Sequence, residues 1–316
     1  MKLSIKITVL IIFISSQIFS QRFSSLTDWK RFRREISFGV GGSNYLGDLG
    51  GRNKTGSDFI FDLEPSATSF VTKIAFGYKF SNRNIARVSF HYGMIRGSDK
   101  LTSEPFRNHR NLSFKTSLYE LGVMYELHFI ESRNSSLYNL KNNHSNSIGV
   151  KGMPFGLYGV FGISVLHFNP KSKYIDGKYY SLQPLGTEGQ GLPKTVPLYP
   201  RYTIAFPLGL GISTNLSKQS SLSLEIVYRV TLTDYLDDVS GLYFDKKIIL
   251  EEKGDKASYF SDPSDISNHP ERQTWTEAGE LRGNSSNNDG FLFATLNYNY
   301  KLKQRGRRRS KIRAKF

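Results

Sequence analysis

From Arg34 onward, hydrophobic side chains recur at every second position in stretches of about 10–13 residues, separated by turn-rich breaks. A period of two is the mark of strands with one greasy face. Ile36, Phe38 and Val40 alternate with Ser37, Gly39 and Gly41. Phe70, Ile74, Phe76, Tyr78 and Phe80 stand against Lys73, Ala75, Gly77 and Lys79, and Val88, Phe90, Tyr92 and Met94 against Arg87, Ser89, His91 and Gly93. Tyr119, Leu121, Val123, Tyr125, Leu127 and Phe129 oppose Glu120, Gly122 and Glu126. Residues 155–167 are the most apolar stretch, and their phase is ambiguous because both faces are greasy. Tyr202, Ile204, Phe206, Leu208, Leu210 and Ile212 face away from Thr203, Ala205, Gly209, Gly211 and Ser213. Leu222, Leu224, Ile226, Tyr228, Val230 and Leu232 face away from Ser223, Glu225, Arg229 and Thr231, and a last stretch sets Leu292, Ala294, Leu296, Tyr298, Tyr300 and Leu302 on one side.

These stretches predict an all-β protein, an eight-stranded antiparallel transmembrane β-barrel with long extracellular loops and a basic C-terminal tail. Eight is an even count, as a single chain with both ends on one side of a membrane requires. Breaks at residues 81–84 and 217–221 are short, while others are long, the longest running over residues 234–290. Short periplasmic turns and long outer loops have this asymmetry. Residues 131–154 depart from it, being long and rich in Asn and Ser on the side that should be short. Aromatics at the ends of the greasy faces (Tyr78 and Phe80, Tyr119 and Phe129, Tyr202, Tyr298 and Tyr300) fit interfacial girdles, and the opposite faces read as small or charged with few apolar positions. A soluble β-sandwich would show the same alternation and stays open on pattern alone.

The N-terminus tilts the choice toward the membrane. Lys2 and Lys6 precede the short apolar run of residues 7–14, and Ser20 offers a cleavage point before Gln21. The run is too short for a spanning helix and reads as a signal peptide over residues 1–20. The expected organisation is then a periplasmic segment over 21–34, the barrel over 35–302 and a basic periplasmic tail over 303–316, with both termini of the mature chain in the periplasm. The chain has no cysteine, which excludes disulfides, zinc–thiolate sites, thiol catalysis and lipid attachment through cysteine.

The formal net charge of +16 is unevenly spread. Residues 21–35 carry +3 and residues 303–316 carry +8, with no acid in the latter. A nucleic-acid binder would place its charge on a folded face; here it sits on the ends, and no nucleic acid is expected as a partner. The tail residues Arg305, Arg307, Arg308, Arg309, Lys311 and Arg313 are candidates for binding an acidic periplasmic protein or an anionic lipid surface, against the alternative of a solvated tail.

Chemistry is sparse. Lys73, Arg87, Glu120, Glu126, Glu225 and Arg229 fall on the polar faces. Placing a basic residue toward lipid at mid-depth would cost about 2–4 kcal/mol, so these residues are assigned to the lumen, where opposite charges would form a packed plug. A conducting pore is the alternative. Ser89 and His91 share one face and Glu120 lies on the next strand, but i and i+2 on a strand are about 7 Å apart and no oxyanion site is evident. The acidic run Asp234, Asp237, Asp238 and Asp245 lacks the spacing of a calcium loop and reads as a structured loop. No catalytic residue, metal site or cofactor is assigned.

Several strings carry a family likeness: EISFGVGGSNYLGDLGG (residues 35–51), YYSLQPLGTEGQG (179–191), YRVTLTDYLDDVSGLYFD (228–245) and LRGNSSNNDGF (281–291). Together they resemble the PorG-type outer-membrane β-barrels of the type IX protein secretion machinery of Bacteroidota-type Gram-negative bacteria. The resemblance implies a non-enzymatic outer-membrane subunit that tethers the periplasmic ring of the machinery, a lipoprotein with its partner, while secreted substrates pass through a different, larger barrel. A general structural or adhesive barrel and a lipid-modifying barrel enzyme remain the alternatives. The insertion signal is expected in the last strand, at Tyr298, Tyr300 and Leu302.

Overall fold

The computed structural model describes residues 28–49, 65–102, 104–132, 155–264 and 270–303. The expected signal peptide, most of the 131–154 segment and the basic tail beyond Lys303 lie outside the described residues. The strands are β1 (Arg34–Leu46), β2 (Ser69–Lys79), β3 (Asn84–Ser98), β4 (Ser113–Ile130), β5 (Phe155–Lys173), the short β6 (Tyr179–Ser181), β7 (Tyr202–Asn215), β8 (Ser220–Thr231) and β9 (Gly290–Leu302).

Each long strand pairs antiparallel with its neighbours in the chain, and β1 pairs with β9 from Arg34 opposite Leu302 to Leu46 opposite Gly290. The pairing of β4 with β5 completes the circuit, so eight strands close into a barrel with no free edge. β6 pairs only with the end of β5. No helix among the described residues is long and apolar enough to cross a membrane.

The alternation sets the two faces of the wall. Val40, Leu121 and Leu208 expose 62%, 57% and 63% of their surface outward, and Ile74, Phe90, Ile163, Ile226 and Leu296 share that face. Lys73, Arg87, Glu120, Glu225 and Arg229 point inward and are buried. Fully burying one large apolar side chain is worth about 1.5–3 kcal/mol, so a wall showing dozens of them is built to meet lipid rather than water. On β2 the outward apolar run extends from Phe70 to Phe80 and on β4 from Tyr119 to Phe129. Ten residues of strand tilted at about 40° cover roughly 25 Å, the height of the apolar band of an outer-membrane barrel.

The ambiguous stretch resolves in β5. Phe161, Ile163 and Val165 face out, while Tyr158, Val160, Leu166 and Phe168 face in and are buried. The inner face is therefore less uniformly polar than its sequence suggested. At the loop end, Val71, Ile95, Leu118, Leu166, Phe168, Phe291 and Phe293 fill the bore with a hydrophobic cluster, joined from the loops by Leu49, Leu112, Tyr199, Leu236 and Val239. The physical reason is the cap described below: lumen walls covered by protein bury apolar side chains as any core does.

The two ends differ as expected. At one end Ser81 Oγ accepts from Arg83 N and Asn84 Nδ2, and Ser217 Oγ accepts from Gln219 N and Ser220 N, closing two tight turns. At the other end the loops carry helices α1 (Pro105–Arg110), α2 (Lys246–Lys253) and α3 (Asp255–Ser261). Pro105 opens α1 behind the capping carboxylate of Glu104, which accepts from Phe106 N and Arg107 N; Asn111, left-handed at φ 57°, ends it.

Candidate functional site: a bridged lumen under a folded cap

The inward charges meet across the bore. Arg87 of β3 donates to both oxygens of Glu225 on β8, at 2.7 and 2.9 Å. In the circular strand order these two strands stand diametrically opposite, so the pair spans the lumen. Lys73 Nζ adds a 2.8 Å bond to Glu225, Tyr158 Oη donates to the same carboxylate at 2.9 Å, and Arg87 also bonds Glu126. The inner-face Gly39 makes room: a Cβ there would overlap Asn297 and crowd Lys73. All six charged residues assigned to the lumen from the sequence are there.

A second assembly lies one step toward the loops. Arg229 Nε reaches Glu120 at 3.1 Å, its guanidinium lies 4.2 Å from the Phe293 ring centroid, and Ser164 Oγ donates to Glu120 at 2.8 Å. His91 Nδ1 stands 3.2 Å from Glu120. Each buried carboxylate thus has at least one cation and one hydroxyl or imidazole, the condition under which burying charge is tolerable. Ser89 Oγ is buried without a hydrogen-bond partner among the described residues, so the Ser89–His91–Glu120 set lacks the nucleophile–base contact that catalysis requires.

Above this sits the cap. Thr116 Oγ1 of β4 donates to Leu236 O at 2.7 Å, drawing the loop after β8 into the mouth. Arg110 makes a two-pronged contact with Asp99 at 2.8 and 3.0 Å and donates to Arg282 O at 2.5 Å. Burial works against the Arg110 charge, but Asp99 outweighs it and raises the Arg110 pKa. Arg282 is buried with Glu188 at 2.9 Å and donates to Asp238 O at 2.6 Å; burial opposes its charge too, and Glu188 and Asp238 outweigh it.

The acidic run expected to be a structured loop is one. Asp238 accepts from Thr187 and Tyr199 at 2.6 and 2.5 Å, and burial raises its pKa to about 6 despite Arg282. Asp237 and Asp289 both bond the hydroxyl of Tyr45 at the end of β1. One phenol proton cannot serve two carboxylates. Burial first, and then mutual and neighbouring negative charge, push both acids well above the usual carboxylate range. Asp234 is raised to about 7, chiefly by burial.

Sequence reasoning missed Tyr158 and Ser164, which lie on the strand of ambiguous phase. It also missed Tyr45, Asp289, Arg282 and Arg110, whose partners are far away along the chain. The tail candidates Arg305, Arg307, Arg308, Arg309, Lys311 and Arg313 fall outside the described residues; the chain enters that segment from the tight-turn end, where β9 finishes at Leu302.

Residues 13–153 match the profile of a domain of unknown function (DUF6089), a span that includes the first four barrel strands. No curated protein sequence matches the chain. Among solved structures, the chain is similar to the Neisserial surface protein A at 8% identity and a TM-score of 0.37, covering 85% of this chain and 97% of that one. It is similar to Ail, the attachment invasion locus protein of Yersinia pestis, at 11% identity and a TM-score of 0.35, covering 86% and 99%. The outer membrane enzyme PagL aligns at 9% identity and a TM-score of 0.29, covering 85% and 99%. Likeness at this level carries no role over to this chain, and the barrel assignment rests on its own closed hydrogen-bond circuit.

Proposed function

We propose that this protein is a sealed, non-catalytic barrel of the outer membrane that anchors the periplasmic ring of a type IX secretion machinery, a lipoprotein with its partner, to that membrane. The observation that carries the reading is the Arg87–Glu225 bridge between opposite strands, overlain by the apolar plug and the loop cap. A bore bridged by ion pairs and closed at its mouth is unsuited to passing a protein, which favours an anchoring role over a conduit. The family likeness supplies the identity of the machinery, and the basic run at Arg305–Arg309, Lys311 and Arg313 supplies a means of docking an acidic ring protein.

Two measurements test it. In planar bilayers the purified protein is expected to give no steady conductance; stable open channels would defeat the sealed reading. Co-purification from detergent-solubilised outer membrane is expected to bring down the ring proteins, and removal of residues 303–316 to reduce their yield; unchanged yield would remove the tail from the docking surface. A general structural barrel is the second reading, and it predicts that deletion leaves protein secretion intact.

A further inference from the structure

The outward face of the wall is not uniform near the loop end. Tyr92 of β3, Tyr119 of β4, His167 of β5 and Tyr202 of β7 stand directly opposite one another in the hydrogen-bond register. Their rings form one row, with centroids 5.0, 5.9 and 4.7 Å apart. Such a row marks an interface between acyl chains and headgroups. Four residues farther toward the loops, the same face carries a second row, Arg96, Lys115 and Lys171, again register partners on three adjacent strands. Lys173 follows on β5, and Arg201 is exposed beside Tyr202. Four residues of tilted strand rise about 10 Å, which puts the cations at headgroup level.

This row is costly by itself. Like charges directly opposite on neighbouring strands are destabilising. Among the described residues no carboxylate lies within ion-pair distance of Arg96, Lys115, Lys171, Lys173 or Arg201. Two of the cations are also held in place. Arg96 donates to Ser66 O at 2.9 Å and Thr68 O at 3.1 Å, and the Lys115 ammonium lies 5.4 Å over the Tyr179 ring. Immediately below the aromatic row, Leu121, Val123, Ile163 and Val165 offer a flat aliphatic surface on the same two central strands.

We propose that the outer rim of β3–β5 binds a phosphorylated glycolipid of the leaflet facing the loops. Its phosphates are held by Lys115 and Lys171, with Arg96 and Lys173 flanking, and its acyl chains lie along Leu121, Val123, Ile163 and Val165. The inference rests on the membrane-barrel reading above. The anion is assigned to a lipid rather than a free polyanion because the cations are continuous with the aromatic and aliphatic rows beneath them.

The test uses the full chain reconstituted into phosphatidylcholine vesicles containing either bisphosphorylated lipid A or its dephosphorylated form, with bound lipid counted by mass spectrometry after extraction into mild detergent. The protein is expected to retain the phosphorylated form selectively. The double variant Lys115→Gln/Lys171→Gln is expected to lose at least tenfold in retention, since each basic residue near an anionic surface is worth roughly fivefold. Lys194→Gln/Lys218→Gln serves as the control for net charge and is expected to match the parent. Equal retention by the two double variants, or equal retention of the two lipids, would overturn the proposal. Displacement of lipid A by soluble inositol hexakisphosphate at equal phosphate concentration would also overturn it, by showing a site for free anions. Protease protection of the strands in the same vesicles separates the two claims: failure to insert defeats the membrane reading, whereas insertion without lipid selectivity defeats only this one.

Discussion

The lumen and the Tyr45 cluster of the cap both bury acidic side chains, and they neutralise them by opposite means. In the lumen Glu225 meets Lys73 and Arg87, and Glu120 meets Arg229, so charge is cancelled by charge. In the cap Asp237 and Asp289 converge on the single hydroxyl of Tyr45, and charge is avoided by holding a proton. The first solution joins strands that are always present together in the wall and gains cross-lumen specificity. The second joins the end of β1 to two points of the long loop between β8 and β9, and it makes that loop answer to pH. A carboxylate with a fixed cation is a permanent strut; a pair sharing a phenol is a conditional one.

The largest effect should follow from breaking a strut. Glu225→Ala leaves Lys73 and Arg87 buried without their shared partner and is expected to lower stability by about 3–5 kcal/mol, read as a shift in the urea midpoint of the protein folded in lipid vesicles. A shift no larger than that of an outward Leu224→Ala would mean that water reaches these groups. Tyr45→Phe removes one hydroxyl and is expected to cost about 1–3 kcal/mol, concentrated in the cap. Its signature is faster proteolysis of residues 232–289 while the strands stay protected; equal loosening of both regions would show that cap and wall unfold together.

A pH change gives a graded version of the same contrast. Asp234 and Asp238 have folded-state values of about 7 and about 6, above the ordinary 3.8 of an unfolded Asp, and Asp237 and Asp289 are raised as well. The folded cap therefore holds protons that the unfolded loop releases. Its stability is full below about pH 4 and declines as pH rises through 6 and 7. Hydrogen exchange, corrected for intrinsic rates, should show the cap amides better protected at pH 5 than at pH 8, with strand amides beside Glu225 as the reference. The reverse trend would contradict the shared-proton arrangement. The smallest effect is expected from Ser89→Ala: its buried hydroxyl has no partner among the described residues, so stability should change within about 0.5 kcal/mol or rise slightly.

The same contrast explains what the sequence revealed. The lumen charges were legible because a period of two forces Lys73, Arg87, Glu225 and Arg229 onto one face, and the cost of charge in lipid then chooses the face. Which of them would pair was not legible, since Arg87 and Glu225 lie 138 positions apart and meet only after closure. Period also failed on β5, where Tyr158, Val160, Leu166 and Phe168 are as apolar as Phe161, Ile163 and Val165; the inward set serves a core that exists only because loops cover it. Of the cap, only the acidic run at Asp234–Asp238 was legible, as a structured loop; its partners were not. Tyr45 and Asp289 are 244 positions apart, and nothing in either one's neighbourhood points to the other.

The seam between β1 and β9 bears on how the protein is made. The first strand waits for a partner that ends at Leu302, so a partly synthesised or partly delivered chain has two raw edges and a greasy flank with nowhere to go. Nearly the whole polypeptide must therefore reach the membrane before any of it can finish. The cell must carry it there unfolded and shielded, and a break in the final strand should remove the entire protein rather than shorten it.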